Sequence, residues 1–587
     1  MSVVSLASGD PTCTTEEVHA LAQANNFAIE PGSENEAGFL LFANSFSAVC
    51  KTIDELPDYE DPRTEPVEVE GGERKYYRPD EKENPLNAWM FRTELRAKDA
   101  AARRGPLAGK TVAVKDNMCV GGLPISLGAS AELFSSGQHP ISPIDATVVR
   151  RVLEAGGTIK GTGVCENLSL FPVSYSSHAG AVHNAWLPGY ATGGSSSGCG
   201  ALISISDVED ARKAGHDSRQ YPLGEGVDIA LGGDQGGSIR LPAAYSGYYG
   251  LKATHGLIPY TGIGSLHPLI DHVGPMARTV EDTATFLGVL AGYDGMDPRM
   301  GPESPLRSQV PDYLGELESW AKEKKGLGEW TSSAAARGLR IGVVQESFEI
   351  APLEPSVAKA TQNAIDRFKS LGADVREVSI PSHKYGGALW SVTTRPLIPH
   401  FLAAKPPDLL AHTMPHIDIV APGQPFFDAL ANKNPAPLNV IMNATYMEQK
   451  YGNGLSRKAY MHVFQLRAAY DAALEDVDIL LTPMTSTVGP KIPASALKTE
   501  ANPNGQSKRF MDLYDPIIGN TINTCPFNLS GHPAMSMPVG WGDAKNEKGE
   551  VEGRLPVGLQ IVSKRWDEVA LLKAAKAWEV GGRWSDE

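Results

Sequence analysis

Short apolar runs alternate with amphipathic segments along most of this chain. Thr111 to Lys115 is an apolar run closed by a lysine, and Gly157 to Gly161 and Val227 to Leu231 are further short runs, so each predicts a buried strand. Between the first two, Ala146 to Ala155 gathers Val148, Val149 and Val152 as a helix would, and Val280 to Leu290 does the same with Ala284, Leu287 and Leu290. Further on, Leu339 to Gln345 reads as a strand and Pro355 to Leu371 as an amphipathic helix. Ala534 to Pro538 and Val557 to Val562 read as strands, and a helix from Asp567 to about Trp578 closes the pattern. Strands alternating with helices in this way predict an α/β fold.

The flanks are less uniform. Thr14 and Glu17 have capping-box spacing ahead of Val18, Leu21 and Ala22, which predicts a helix over 14–30 as part of an N-terminal helical arm. Acidic residues and prolines from about Asp54 to Asn84 predict an extended surface linker, and Phe91, Leu95 and Ala102 give Asn87 to Arg103 helical spacing. Pro381 to Tyr451 shows little regularity. The expected division is 1–104 for the arm and linker, 105–299 for the first part of the core, 300–470 for an elaboration covering the active-site face, and 471–587 for the rest of the core.

Composition narrows the classes. At 587 residues the chain exceeds what one small core usually takes, and its net charge of −16 disfavours nucleic acid and anionic membrane surfaces as partners. Six cysteines without CxxC spacing read as reduced thiols, which favours a cytoplasmic setting. Met1 to Asp10 lacks a basic segment followed by an apolar one, and no apolar run reaches membrane-spanning length, so neither a signal peptide nor a membrane anchor is expected. A helical arm suits homodimer contacts.

The candidate chemistry centres on Gly232-Gly233-Asp234-Gln235-Gly236-Gly237-Ser238-Ile239-Arg240-Leu241-Pro242. Glycines on the N-terminal side of Ser238 let main-chain N–H groups face a small anion, as an oxyanion hole requires. A serine needs a base to become a nucleophile. Upstream lie Gly193-Gly194-Ser195-Ser196-Ser197-Gly198 and Val112-Ala113-Val114-Lys115-Asp116-Asn117. A lysine at the end of an apolar strand either pairs with a carboxylate such as Asp116 or loses its charge and serves as a base.

These three runs, with the later Asp478-Ile479-Leu480-Leu481-Thr482-Pro483, occur in the order of the amidase signature family, which the chain resembles strongly over Leu107 to Pro275 and moderately from Asp476 onward. The resemblance implies a mixed central sheet covered by helices on both faces, and a triad of Lys115 as base, Ser195 as a relay after a cis peptide, and Ser238 as nucleophile. It also implies an oxyanion hole from the N–H groups of Gln235, Gly236, Gly237 and Ser238. Ser196, Ser197, Asp234 and Arg240 are expected to hold or orient the loops, and Trp390 and Met442 are candidate pocket walls that packing alone would also explain. No cofactor or metal is implied, and no H-E-x-x-H spacing occurs among the 14 histidines.

The implied activity is hydrolysis of small neutral carboxylic amides to acid and ammonia. The same triad would serve carbamates or esters, an amidotransferase component is a second possibility, and a catalytically silent binding protein a third. Other motifs are weaker: Ser196 fits a G-x-S-x-G elbow without the preceding strand, and Ser319 to Lys322 fits S-x-x-K in a charged helical stretch. Ile205 to Gly224, polar and outside the family pattern, is expected to be a surface insertion.

Overall fold

Eleven strands form one sheet in the computed structural model, which describes residues 12–57, 59–217, 219–403, 411–412, 414–431, 433–497, 499, 502 and 510–586. Met1 to Asp10, read above for a leader, lie outside them. In chain order the strands are β1 (Trp89–Leu95), β2 (Thr111–Lys115), β3 (Thr158–Gly163), β4 (Ile229–Asp234), β5 (Tyr249–Lys252), β6 (His272–Ala277), β7 (Arg340–Val344), β8 (Asp374–Val378), β9 (Ile479–Pro483), β10 (Ala534–Lys545) and β11 (Val551–Ser563). The spatial order is β1-β3-β2-β4-β6-β5-β10-β11-β9-β7-β8. Parallel pairs β3/β2, β2/β4, β9/β7 and β7/β8 sit among antiparallel ones, so the sheet is mixed. Numbered in chain order after α1 (Thr15–Ala24) and α2 (Glu34–Asp54), the helices that cover the sheet include α3 (Thr147–Glu154), α4 (Ser197–Lys213), α5 (Arg240–Ser246) and α6 (Val280–Leu290), the last with Ala284, Leu287 and Leu290 buried as the spacing predicts.

Two compact units divide the chain, with the boundary between Arg63 and Thr64. In the first, the helix Thr15–Ala24 starts with the expected capping box: Thr14 Oγ1 accepts from the Glu17 N–H at 3.2 Å and Glu17 Oε2 from the Thr14 N–H at 2.7 Å. The expected limit at 104 is corrected because 64–104 contributes β1 to the sheet. Nor is 300–470 wholly an elaboration, since β7 and β8 extend the sheet beyond β9.

Three further expectations fail for physical reasons. Asn87 to Arg103 contains a strand, not a helix: Phe91 and Leu95 are four apart, a spacing that places residues on one face of either element, and both are buried. Pro381 to Tyr451 is largely helical, with Gly386–Thr394, Ile398–Leu402, Gln424–Leu430 and Ala436–Tyr451. Prolines that look like breakers stand in the first turn of the last three, where no intrahelical N–H bond is lost. Finally, Ile205 to Lys213 is not a loop but the continuation of α4. Ile205 and Val208 are buried, and Asp207 meets Arg278 at 2.8 Å. Among the described residues no helix is long and apolar enough to cross a membrane.

Candidate active site

β2 and β4 run parallel and in register, Val112 beside Ile229 and Val114 beside Leu231, so Lys115 and Asp234 leave the sheet at the same end. β3 flanks β2 on the other side with Gly163 opposite Lys115, and the chain leaving it carries Glu166 to the same place. Strand ends of an α/β sheet are where loops converge to form sites. The serine run arrives just before α4, where a Cβ on Gly194 would stand 2.6 Å from Phe171 O and 2.8 Å from Glu166 Cγ. Only glycine allows that approach. The peptide between Gly194 and Ser195 is cis.

Lys115 is completely buried, and its Nζ donates to Ser195 Oγ at 2.7 Å, with Gly233 O at 3.5 Å. Burial lowers its pKa from the ordinary lysine value, against opposing pulls from Cys165, Cys199, Asp234 and Glu166. Asp116 is not its partner: that carboxylate accepts from Ser126 Oγ, and burial raises its pKa to about 7. The hydrogen-bond partners of the lysine among the described residues are a hydroxyl and a carbonyl, and none is a carboxylate. Ser196 Oγ exchanges bonds with the Gly233 main chain at 3.2 and 3.3 Å, tying the serine run to β4, and Ser197 Oγ donates to Glu166 Oε1 at 2.7 Å.

Asp234 and Arg240, both fully buried, form the knot under the loop that carries Ser238. Asp234 accepts from the N–H groups of Gly237 at 2.7 Å and Ile239 at 3.1 Å, from Arg240 at 2.9 and 3.0 Å, and from Asn528 Nδ2 at 2.8 Å. Burial disfavours the carboxylate, but Arg240 and these donors outweigh it and hold Asp234 well below the usual carboxylate range. Arg240 spends its remaining N–H groups on Thr524 O, Gln560 Oε1 and Asn528 Oδ1 at 3.0, 2.6 and 2.7 Å, so all five of its donors are used.

The loop so fixed presents main-chain donors. The N–H groups of Gln235, Gly236 and Ser238 have no acceptor among the described residues. Gly237, expected with them, gives its N–H to Asp234 instead, so its part is to fix the loop. Its φ of +138° and the 2.6 Å that would separate a Cβ from Thr524 Oγ1 leave room for no side chain. Gly237→Ala is expected to cost at least tenfold in turnover, since the strain of about 1–3 kcal/mol falls on the donors beside it; wild-type kinetics in that variant would show the loop tolerates displacement.

Ser238 follows directly, 8% exposed, with no side-chain hydrogen bond among the described residues; none joins it to Ser195. Trp390 does reach the site, its Nε1 donating to Gln235 O at 2.9 Å. Met442 does not behave as a pocket wall: it lies on the helix Ala436–Tyr451 with its residue 68% exposed. Among the described residues no three His, Cys, Asp or Glu side chains gather as metal ligands would.

A cavity of about 290 Å³ is lined by Leu127, Leu168, Ser169, Leu266, Phe401 and Met414 among others. Two routes join it to the catalytic loops. Asn117 Nδ2, two residues past Lys115, donates to Ser169 Oγ at 3.5 Å, while Gln235 Nε2 meets Tyr260 Oη at 2.6 Å and that hydroxyl donates to Gly264 O, in the cavity wall, at 3.2 Å. A larger cleft of about 910 Å³, lined by Trp186, Asp207, Arg278, Trp541 and Trp584, includes none of the candidate catalytic side chains. The smaller cavity is thus the one whose wall is hydrogen-bonded to the loops that carry Lys115 and Ser238.

Glu166, Thr524, Asn528 and Gln560 are not legible in the sequence as site residues. Glu166 has one signal, a lone carboxylate between Val164-Cys165 and Leu168; the others lie 284 or more residues beyond the arginine they hold.

The model of the amidase family matches residues 75–210 and 224–572, and the chain belongs to that family. The break at 211–223 falls within the region expected as an insertion, which begins in the last turn of α4. An enantioselective amidase of Rhodococcus rhodochrous is 35% identical over 525 residues, covering 86% of this chain and 85% of that protein. A glutamyl-tRNA(Gln) amidotransferase component from Chloroflexus aggregans is 30% identical over 501 residues, 82% of this chain and 86% of the relative. Among solved structures, a bacterial aryl acylamidase of the amidase signature family superposes with a TM-score of 0.62 at 22% identity, over 86% of this chain and 91% of that one.

Proposed function

We propose that the chain hydrolyses small neutral carboxylic amides to acid and ammonia through an acyl-Ser238 intermediate, with Lys115 as base and Ser195 as relay. The observation that carries this reading is the buried Lys115 amine 2.7 Å from Ser195 Oγ with no carboxylate paired to it. The neutral amine takes the Ser195 proton as Ser195 takes that of Ser238, and Ser238 Oγ bonds to the amide carbon. The carbonyl oxygen becomes an oxyanion facing the N–H groups of Gln235, Gly236 and Ser238, donors worth about 100-fold or more in rate each. The C–N bond then breaks, the proton returns through Ser195 to the departing nitrogen, and ammonia leaves. Water, deprotonated by the same relay, attacks the ester carbon and releases the acid and Ser238.

Amide hydrolysis accords with family membership and with the enantioselective amidase relative. The cavity beside Ser169 is lined by apolar side chains together with Ser265, His412 and Asp418, and holds no lysine or arginine among the described residues to pair a glutamine α-carboxylate, which supports neutral acyl groups. The amidotransferase components among the relatives favour the competing reading. Ammonia release from neutral primary amides, compared with carbamates, esters and glutamine, decides between them: neutral amides are expected to be turned over fastest, and preference for glutamine would reverse the assignment. Because Lys115 acts unprotonated, kcat/KM is expected to rise with pH through its depressed pKa and to plateau below 10.5; a rise continuing to that value would mean an ordinary lysine. A homodimer is supported by Phe39, Phe42 and Phe46, exposed on the helix Glu34–Asp54, and light scattering on the purified chain tests it.

A further inference from the structure

Glu166 has no part in the relay, yet it touches the serine run on both sides of Ser195. Its N–H donates to Ser195 O at 3.0 Å, and its Oε1 accepts from Ser197 Oγ at 2.7 Å. Its Cγ lies where a side chain on Gly194 would have to go. The other carboxylate oxygen accepts from the Ser176 N–H and Ser176 Oγ, both at 2.6 Å, which anchors the grip to the segment after β3. Three donors to a fully buried carboxylate are more than loop closure needs, and they fix one orientation of the group.

We infer that Glu166 is a positioning residue, which holds Ser195 under the Lys115 amine and whose charge biases that amine toward its protonated form. This rests on the reading of Lys115 and Ser195 as a proton relay. The charged and titratable groups facing Glu166 are Lys115 from β2, Lys433 from the segment before the helix Ala436–Tyr451, Tyr175, and its neighbour Cys165. Burial raises the Glu166 carboxyl to about 7 against the pull of Ser176, Ser197 and Lys433, so its charge changes around neutral pH. When it is ionised it favours the Lys115 ammonium; when it is protonated that bias is gone.

Two variants separate charge from reach. Glu166→Gln keeps the length and removes the charge. Its kcat for a small primary amide is expected to fall about 10-fold to 100-fold, and the acid limb of its pH profile to move to lower pH by about half a unit or more, since one of the charges that oppose loss of the Lys115 proton is then gone. Glu166→Asp keeps the charge but falls short of Ser197; the rate is expected to drop by a similar factor with the acid limb where the wild type has it. Thermal unfolding of both proteins checks that they fold, and should Glu166→Gln fail to fold, the Glu166→Asp rate and profile carry the test. An unmoved limb in Glu166→Gln, or a wild-type rate in Glu166→Asp, overturns the inference. Lys115→Ala run in parallel separates the two claims. If it keeps wild-type turnover the relay reading falls. If it is inactive while the Glu166 variants match the wild type, only the positioning role does.

Discussion

Ser238→Ala is expected to lower amide turnover by about 10⁴-fold or more while leaving stability within about 0.5 kcal/mol of the wild type. The two halves of that statement have one structural source. Ser238 Oγ has no hydrogen-bond partner among the described residues, so its removal orphans nothing, whereas the Gln235, Gly236 and Ser238 N–H groups remain to bind substrate. A protein that still binds amide but makes no acyl-enzyme should result. A fluorophosphonate probe is expected to label the wild type on Ser238 and to leave Ser238→Ala unlabelled. Lys115→Met should match it in lost turnover for a different reason. Its buried amine is held at the expense of desolvation, so an apolar side chain of similar length should leave the protein at least as stable. Labelling of Ser238→Ala at Ser195 or Ser196, or turnover within tenfold of wild type in either variant, would move the nucleophile or the base elsewhere.

How far the sequence foretells this site depends on the range over which each residue acts. Lys115 closes an apolar strand and Ser238 follows two glycines, so both stand out in the sequence as candidates, whereas the choice of Ser195 within its serine run is what the resemblance to the amidase signature family implies. The strands beneath them are visible because a sheet covered on both faces demands continuous apolar runs. Phe91 and Leu95 mislead because a four-residue interval fits two periods at once. The helices of 381–451 escape notice because the segment shows little regularity, and Pro399, Pro425 and Pro437 stand in the first turns of three of them. Asn528, Gln560 and Thr524 are ordinary polar residues in apolar surroundings, and only folding shows that all three converge on one guanidinium.

That convergence yields the second large effect, in stability rather than rate. Arg240→Met is expected to destabilise the 64–587 unit by about 3–5 kcal/mol, because it leaves the Asp234 carboxylate buried with three donors in place of five and no countercharge. Arg240→Lys should recover little, since an ammonium cannot reach Asp234, Thr524, Gln560 and Asn528 together from one point. The pH dependence has a definite sign. In the wild type the Asp234 pKa is depressed, so its contribution is complete above the unfolded value of about 3.9 and is lost only as pH falls through the lower folded value. Without Arg240, burial is opposed only by the three remaining donors and by Lys252, and the pKa is expected to rise, so the carboxyl becomes a liability at neutral pH that protonation relieves. The gap in stability between Arg240→Met and the wild type is therefore expected to be widest near pH 7 and to narrow as pH is lowered toward 4. Denaturant unfolding of both proteins at pH 7 and 5 measures it. A gap that stays constant would mean that Arg240 acts through packing alone, and no gap would mean that the loop carrying Ser238 is held by something other than this pair.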